Sequence, residues 1–261
     1  MKTAKIAEIF DSVQGEGIYS GVRQVFIRFF GCNLNCAFCD TPLEAYSEKT
    51  QGEVQDEILK YSDFHTPRPQ NRAIYGADGN WPLGHRALTA QGTQGFSPGG
   101  LHSVSLTGGE PLCQADFLKD LLPDLRASRC KIYLETNGTL PQELQKIIDD
   151  VDIIAMDIKL PSSTQGVSLW AEHEDFLKVA LKKEVFVKMV ITPETDHGDI
   201  VQARAIIKNT DPCIPVVLQP SWPDNCAKLS EKMVSFEREL VSSGIRDVRI
   251  LPQAHKVAGI K

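Results

Sequence analysis

Seven short runs of apolar, largely β-branched residues alternate with amphipathic stretches along almost all of this 261-residue chain, and that alternation leaves few folds open. The runs are VFIRFF at 25–30, SVSLT at 103–107, KIYLET at 131–136, DIIAMDI at 152–158, EVFVKMVI at 184–191, IPVVLQP at 214–220 and DVRIL at 247–251. Between them the pattern predicts helices around 53–62, 115–127, 141–149, 170–183, 198–209 and 227–243. In the second of these, Leu118, Leu121, Leu122 and Leu125 recur at helical spacing and give one apolar face. Strands apolar on both faces, each followed by a helix, imply a parallel sheet with helical crossovers. Six or seven such units would make a full or partial (β/α) barrel, and the expected fold class is α/β, a partial (β/α)6-type TIM barrel formed by one domain over residues 1–261. A flat doubly wound sheet is the alternative. The alternation fails once, at about 63–101, where a stretch rich in Pro, Gly, Gln and Asn shows no period. It is too long for an ordinary connection and reads as an inserted loop: a surface excursion, a lid or a subunit contact.

Composition narrows the function classes. The chain is 42% hydrophobic and 24% charged, as a water-soluble globular protein would be. No apolar run reaches the roughly 18 residues that a membrane-spanning helix needs. The opening residues lack an apolar segment and a small-residue cleavage site, which predicts a chain not marked for secretion. A net charge of −6 argues against nucleic acid as the main ligand. The seven cysteines are an odd number, and three of them fall within eight residues. That is not a disulfide framework; it suits the reducing cytoplasm and the binding of a metal or a cluster.

The three are Cys32, Cys36 and Cys39, directly after the first predicted strand. In parallel β/α folds the loops beyond the strands' carboxyl ends carry the chemistry. A structural zinc site or an electron-transfer cluster would want four protein ligands, and no fourth cysteine lies nearby in sequence. Three ligands leave one position open, as a reactive centre requires. Cys113, Cys130, Cys213 and Cys226 are scattered and are expected to be buried structural thiols rather than ligands of a second cluster.

Cys-x-x-x-Cys-x-x-Cys after the first strand of a β/α fold resembles the radical S-adenosylmethionine superfamily. The resemblance implies a 4Fe–4S cluster on Cys32, Cys36 and Cys39, its fourth iron chelated by the methionyl amine and carboxylate of S-adenosylmethionine. It further implies that reduction by the cluster cleaves the cofactor to a 5′-deoxyadenosyl radical, the protein orienting chemistry that the cofactor carries. A second element agrees. Thr107-Gly108-Gly109-Glu110-Pro111 ends the strand SVSLT, and its adjacent glycines let the backbone approach a ligand closely. The motif looks like the superfamily's clamp on the methionyl ammonium, with Glu110 as acceptor. By the same resemblance Phe38, Asp40, Gly108, Gly109, Glu110, Asp157, Lys159 and Ser162 would bind S-adenosylmethionine.

Residues 10–41, FDSVQGEGIYSGVRQVFIRFFGCNLNCAFCDT, are similar to the opening of the 7-carboxy-7-deazaguanine synthase family of the queuosine pathway, and PQAHK at 252–256 is similar to that family's C-terminal signature. The resemblance implies a lyase that converts 6-carboxy-5,6,7,8-tetrahydropterin into 7-carboxy-7-deazaguanine, releases ammonia and uses S-adenosylmethionine catalytically. It implies Mg²⁺ held by Thr41, and substrate contacts from Val13, Gln14, Gly15, Glu16, Arg28, Thr107, Glu135, His255 and Lys261. Gln14 and Glu16 suit a pterin's donor–acceptor edge, and Arg28 suits its carboxylate. Phe26, Arg28 and Phe30 share one strand face, so an inward Arg28 is expected. The bland readings are turn residues for Gln14 and Glu16 and a strand-end salt bridge for Asp157 and Lys159. The partners implied are the small pterin, an external one-electron reductant such as flavodoxin or ferredoxin, and a second copy in a homodimer, with neither nucleic acid nor membrane. A glycyl-radical activating enzyme or another small radical S-adenosylmethionine enzyme is the rival within enzymes. A cluster-bearing binding or electron-transfer module is the rival outside them.

Overall fold

The computed structural model describes residues 2–41, 44–61, 100–127, 130–222 and 225–260, with the side chains of 225–228 left aside. The expected insertion falls almost wholly on 62–99, and Lys261 at the end; both lie outside the described residues. Among the described residues nine strands form one sheet in the order β3-β1-β2-β4-β5-β6-β7-β8-β9. They are β1 (Thr3–Val13), β2 (Arg23–Phe29), β3 (Ser47–Thr50), β4 (Ser103–Gly108), β5 (Lys131–Thr136), β6 (Ile153–Asp157), β7 (Glu184–Ile191), β8 (Val216–Pro220) and β9 (Val248–Ile250). The seven strands from β2 and β4 to β9 run parallel, each beside the next. They are the seven strands read from the sequence, and they form the partial barrel that was expected.

Helices cover the outer face of the sheet. α1 (Gln51–Leu59), α2 (Ala115–Ala127), α3 (Pro141–Ile147), α5 (Trp170–Ala180), α6 (His197–Thr210) and α7 (Asn225–Ser242) are the expected crossovers; α4 (Pro161–Thr164) and α8 (Ala254–Ala258) are short additions. The α2 stripe of Leu118, Leu121, Leu122 and Leu125 packs with Val104, Leu106, Ile132 and Leu134 in the main core. Burying such side chains contributes roughly 1.5–3 kcal/mol each, which is why the amphipathic period decided these helices correctly.

The inner face has a smaller core of its own, made by Tyr133, Ile153, Ala155, Phe186 and Val217. Two residues further along each strand the inward position turns polar: Tyr133 gives way to Glu135, Ala155 to Asp157, Phe186 to Lys188 and Val217 to Gln219. Side chains two apart on a strand share a face. The concave side is therefore plugged by apolar groups at one end and lined by polar ones at the carboxyl end.

Two strands were not expected. β1 pairs antiparallel with both β2 and β3, and its register slips between Ile6 and Glu8. The slip interrupts the alternation of two that would have marked it. β3 is a polar edge strand of four residues, SEKT, with no apolar signal.

Candidate active site

A cavity of about 320 Å³ opens at the carboxyl end of the parallel strands. Cys32, Cys36 and Cys39 all line it; they are free thiols, Cys36 half-buried and the other two exposed. Burial pushes the Cys32 and Cys36 thiols above their usual range. Donors nevertheless point at one sulfur. The Leu34 amide donates to Cys32 Sγ at 3.4 Å, and Asn137 Nδ2 lies 3.8 Å away. A sulfur that ligates iron is a thiolate, and N–H groups stabilise that form. Among the described residues no three His, Cys, Asp or Glu side chains converge closely enough to hold a single ion. The three thiols stand along one wall instead, on a loop whose Ala37 amide donates to the Thr164 carbonyl at 2.9 Å, and that arrangement fits a cluster.

The loop after β5 braces this wall. Asn137 Nδ2 donates to Asn33 Oδ1 at 2.8 Å, and Asn33 Nδ2 donates to Thr139 Oγ1 at 2.9 Å. The end of β4 presses against it from the other side. The Gly109 amide donates to the Phe29 carbonyl at 3.0 Å and the Glu110 amide to the Gly31 carbonyl at 2.8 Å. Gly108 has φ +118°, and a Cβ on Gly109 would run into the Gly31 carbonyl, 2.5 Å from its carbon. The paired glycines are thus required where two loop backbones meet.

Charged groups alternate around the opposite wall. Lys159 Nζ lies 2.8 Å from Asp157 Oδ2 and 5.2 Å from the centre of the Phe38 ring. Lys188 stands between Asp157, at 3.6 Å, and Glu16, with which it makes a short ion pair. Gln253 Nε2 donates both to Glu16 Oε1 at 2.7 Å and to Asp40 Oδ2 at 3.0 Å, and Lys256 pairs with Asp40 at 3.4 Å. Burial alone would raise the Glu16 carboxyl; the Lys188 ammonium and the Gln253 amide outweigh it and hold its pKa at about 2. Burial likewise opposes the Lys188 charge, yet Glu16 and Asp157 keep the ammonium well above its ordinary range. Two acceptors on this wall, Asp157 Oδ1 and Gln219 Oε1, are buried without a partner. Unpaired buried acceptors are costly, and at a cavity they fit the donors of a bound molecule. S-adenosylmethionine, with an ammonium and two ribose hydroxyls, carries such donors.

At the cavity floor Thr107 Oγ1 donates to Glu135 Oε2 at 2.9 Å and Gln14 Nε2 to Glu135 Oε1 at 2.7 Å. Thr107, Glu135, Glu16, Phe38, Asp40, Thr41, Gly108, Gly109, Asp157 and Lys159 all line the cavity. Others do not. Arg28 faces inward, but its guanidinium pairs with Glu8 at 2.5 Å, on the antiparallel neighbour strand the sequence did not reveal, and lies 5.2 Å from the Phe10 ring centre. Glu110 is fully buried and accepts from Asn137 N, Leu112 N and Thr136 Oγ1. Burial raises its pKa to about 7. It ties strand ends together and is not among the residues that line the cavity, which the neighbouring Gly108 and Gly109 do. Ser162 donates to Asp199 Oδ2 at 2.5 Å, joining α4 to α6 outside the cavity wall. Val13, Gln14, Gly15 and His255 line a separate crevice under α8, scarcely large enough for one water. Cys113 and Cys213 are exposed and Cys130 half-buried, which corrects the expectation of buried thiols; Cys113 lies in a short 3-10 helix, Pro111–Gln114, and Cys213 in a turn, while the side chain of Cys226 lies outside those described.

Asn137, Lys188, Gln219 and Gln253 were not singled out from the sequence. Gln253 lies within the PQAHK signature, and Asn137, Lys188 and Gln219 sit beside a motif or at the polar end of an apolar strand, where inward polar positions are the signal that finds them.

The chain's likeness to known proteins agrees with this geometry. A family model described as a 4Fe-4S single cluster domain matches residues 13–170. A 7-carboxy-7-deazaguanine synthase of Geobacter sulfurreducens is 39% identical over 257 residues, covering 98% of this chain and 97% of that protein. Another from Archaeoglobus fulgidus is 32% identical, covering 99% of each. Among solved structures, QueE from Escherichia coli superposes with a TM-score of 0.55 at 18% identity, over 97% of this chain and 95% of that one. With a cysteine loop, a glycine pair and a polar strand-end wall meeting at one cavity, and with relatives matched from end to end, the chain belongs to the 7-carboxy-7-deazaguanine synthase family of radical S-adenosylmethionine enzymes.

Proposed function

We propose that this protein converts 6-carboxy-5,6,7,8-tetrahydropterin into 7-carboxy-7-deazaguanine with release of ammonia, as a carbon–nitrogen lyase acting in the cytoplasm as a single-domain chain. The observation that carries this reading is the meeting of Cys32, Cys36 and Cys39 with Glu16, Thr107 and Glu135 on one cavity. When bound, a 4Fe–4S cluster and S-adenosylmethionine supply the one-electron chemistry that removes and returns a substrate hydrogen atom. The chain's own residues do the rest. Asp157, Lys159, Phe38, Asp40 and the Gly108–Gly109 backbone hold the cofactor, with Gln219 offering a further acceptor. Glu16, Thr107 and Glu135 hold the pterin by its N–H groups, since carboxylates accept from such an edge. Gln14 orients Glu135 from behind. The C-terminal segment around His255 closes over Gly15, whose carbonyl accepts from the Ala254 amide at 2.8 Å, and His255 and Lys261 would add contacts to the substrate. Thr41 at the rim supplies a hydroxyl for Mg²⁺, a cation that keeps most of its ligands from water and substrate. A flavodoxin or ferredoxin would deliver the electron, and a homodimer is the assembly proposed.

The test is an anaerobic assay of the reconstituted protein with the carboxytetrahydropterin, a reductant and S-adenosylmethionine, with and without Mg²⁺. Deazaguanine product that rises with Mg²⁺ supports the reading. Cleavage of S-adenosylmethionine to 5′-deoxyadenosine with no deazaguanine would move the protein to another radical S-adenosylmethionine activity.

A further inference from the structure

Lys188 has no part in the wall as read from the sequence, yet it is the centre of the wall's charge. It projects from the middle of β7, one inward step beyond Phe186, and its side chain is 16% exposed. A lysine there must be paired, because taking an ammonium out of water costs several kcal/mol. Its partners are unequal. Asp157 lies 3.6 Å from Lys188 but 2.8 Å from Lys159, so it keeps a cation without Lys188. Glu16 has Lys188 on Oε2 and the Gln253 amide on Oε1. No other lysine or arginine among the described residues makes an ion pair with it.

Those two contacts fix the plane of the Glu16 carboxylate. Each carboxylate oxygen has two lone-pair directions, so one on each oxygen remains after Lys188 and Gln253 are served. Glu16 lines the cavity, and the two remaining directions suit a pair of parallel N–H donors. A ring N–H beside an exocyclic amine, the 2-aminopyrimidinone edge of a pterin, presents such a pair.

We propose that Lys188, with Gln253 as its partner from the C-terminal segment, is the positioning residue that holds Glu16 ionised and edge-on to the cavity, so that the site selects heterocycles carrying a 2-aminopyrimidinone edge. The inference rests on the pterin reading of the site and adds the residue that gives Glu16 its selectivity. Without Lys188 the buried carboxyl takes up a proton, and one acceptor direction becomes a donor that meets an N–H of the substrate.

The experiment compares wild type, Lys188→Met, Lys188→Arg, Glu16→Gln and the double variant Lys188→Met/Glu16→Gln, all as reconstituted holoenzyme. The binding of 6-carboxypterin is read by its fluorescence, and the KM for the carboxytetrahydropterin is measured alongside. Lys188→Met should weaken pterin binding about 30-fold and raise KM similarly, with kcat moved less than KM. The affinity for S-adenosylmethionine should change less than about threefold, because Lys159 stays on Asp157. Lys188→Arg should recover most of the loss. In the Glu16→Gln background, Lys188→Met should add less than about twofold, the mark of two groups acting as one. If the two losses simply multiply, or if Lys188→Met weakens S-adenosylmethionine as much as the pterin, the inference is overturned. Should Lys188→Met fail to fold, Gln253→Leu in the same cycle with Glu16→Gln decides by the same criterion. A wild type that neither binds nor converts the pterin overturns the reading of the site and this inference together; binding by wild type with no coupling overturns the inference alone.

Discussion

His173 shows how a residue off the cavity governs its rim. It comes from α5, is wholly buried, and joins two catalytic-side loops: the Lys159 amide donates to its Nε2 at 3.1 Å, and its Nδ1–H donates to the Gly138 carbonyl at 3.0 Å. Those partners require the neutral ring protonated on Nδ1. Burial, against the pull of the Gly138 carbonyl, lowers its pKa to about 4 from 6.5. A lowered pKa means that the unfolded chain binds the proton more readily between those values, so stability is full above pH 6.5 and falls as pH drops toward 4. The loss attributable to this ring is roughly 3 kcal/mol. Denaturant titrations of wild type and His173→Asn across pH 4–7 check it: the substitution should lower stability at pH 7 and flatten its dependence on pH. An unchanged slope would show that His173 is not the titrating group. In sequence this histidine is one polar residue on an amphipathic helix, and nothing local marks it. Its role exists only because β5 and β6 end beside α5.

At the scale of elements, the cavity rim is a set of loops held together by backbone contacts. The β4 end and the cysteine loop approach so closely that even a methyl group at Gly109 has no room beside the Gly31 carbonyl. Gly109→Ala should therefore displace the cysteine loop, cost about 1–3 kcal/mol of stability and lower iron retention after reconstitution. Thermal unfolding and iron content per chain measure both effects; full iron content in a stably folded variant would refute the close-packing argument. The two glycines were visible in the sequence as a ligand-approach motif, but their other function, letting two loops touch, was not. Arg28 teaches the same lesson in reverse. Its inward direction followed from alternation along β2, whereas its partner, Glu8, depended on β1, whose bulge hid it. Glu110 is an acceptor suited by its chemistry to an ammonium, and the fold turns it to three donors in the interior instead.

For the molecule as a whole, the partial barrel divides its labour by face and by end. The outer face meets the helices through the main core, the inner face is plugged by the second core, and polar groups gather where the strands stop. Asp157 Oδ1 and Gln219 Oε1 at that end are free to accept from the cofactor's donors. S-adenosylmethionine at about 100 times its Kd should stabilise the reconstituted protein by about 2.7 kcal/mol. For a domain of this size that is a rise in Tm of about 5–10 °C. Calorimetry with and without the cofactor tests this, and removal of the cluster by chelation should abolish most of the rise. A cofactor-induced shift that survives loss of the cluster would mean that Asp157 and Gln219, rather than the iron centre, dominate its binding.

The sequence by itself determined the class of fold, because burial on both faces of parallel strands and on one stripe of each helix writes its period directly into the chain. It also determined the cysteine loop and the glycine pair, since ligation and close approach demand particular residue types at short spacing. Only the tertiary structure decided which charges meet. Glu16, Lys188, Asp157 and Gln253 come from four segments far apart in the chain, and Arg28, Glu110 and Ser162 found partners that drew them from the cavity. Electrostatic pairing acts through distances of a few ångströms, and those distances are set by the register and curvature of the sheet, not by neighbourhood along the chain.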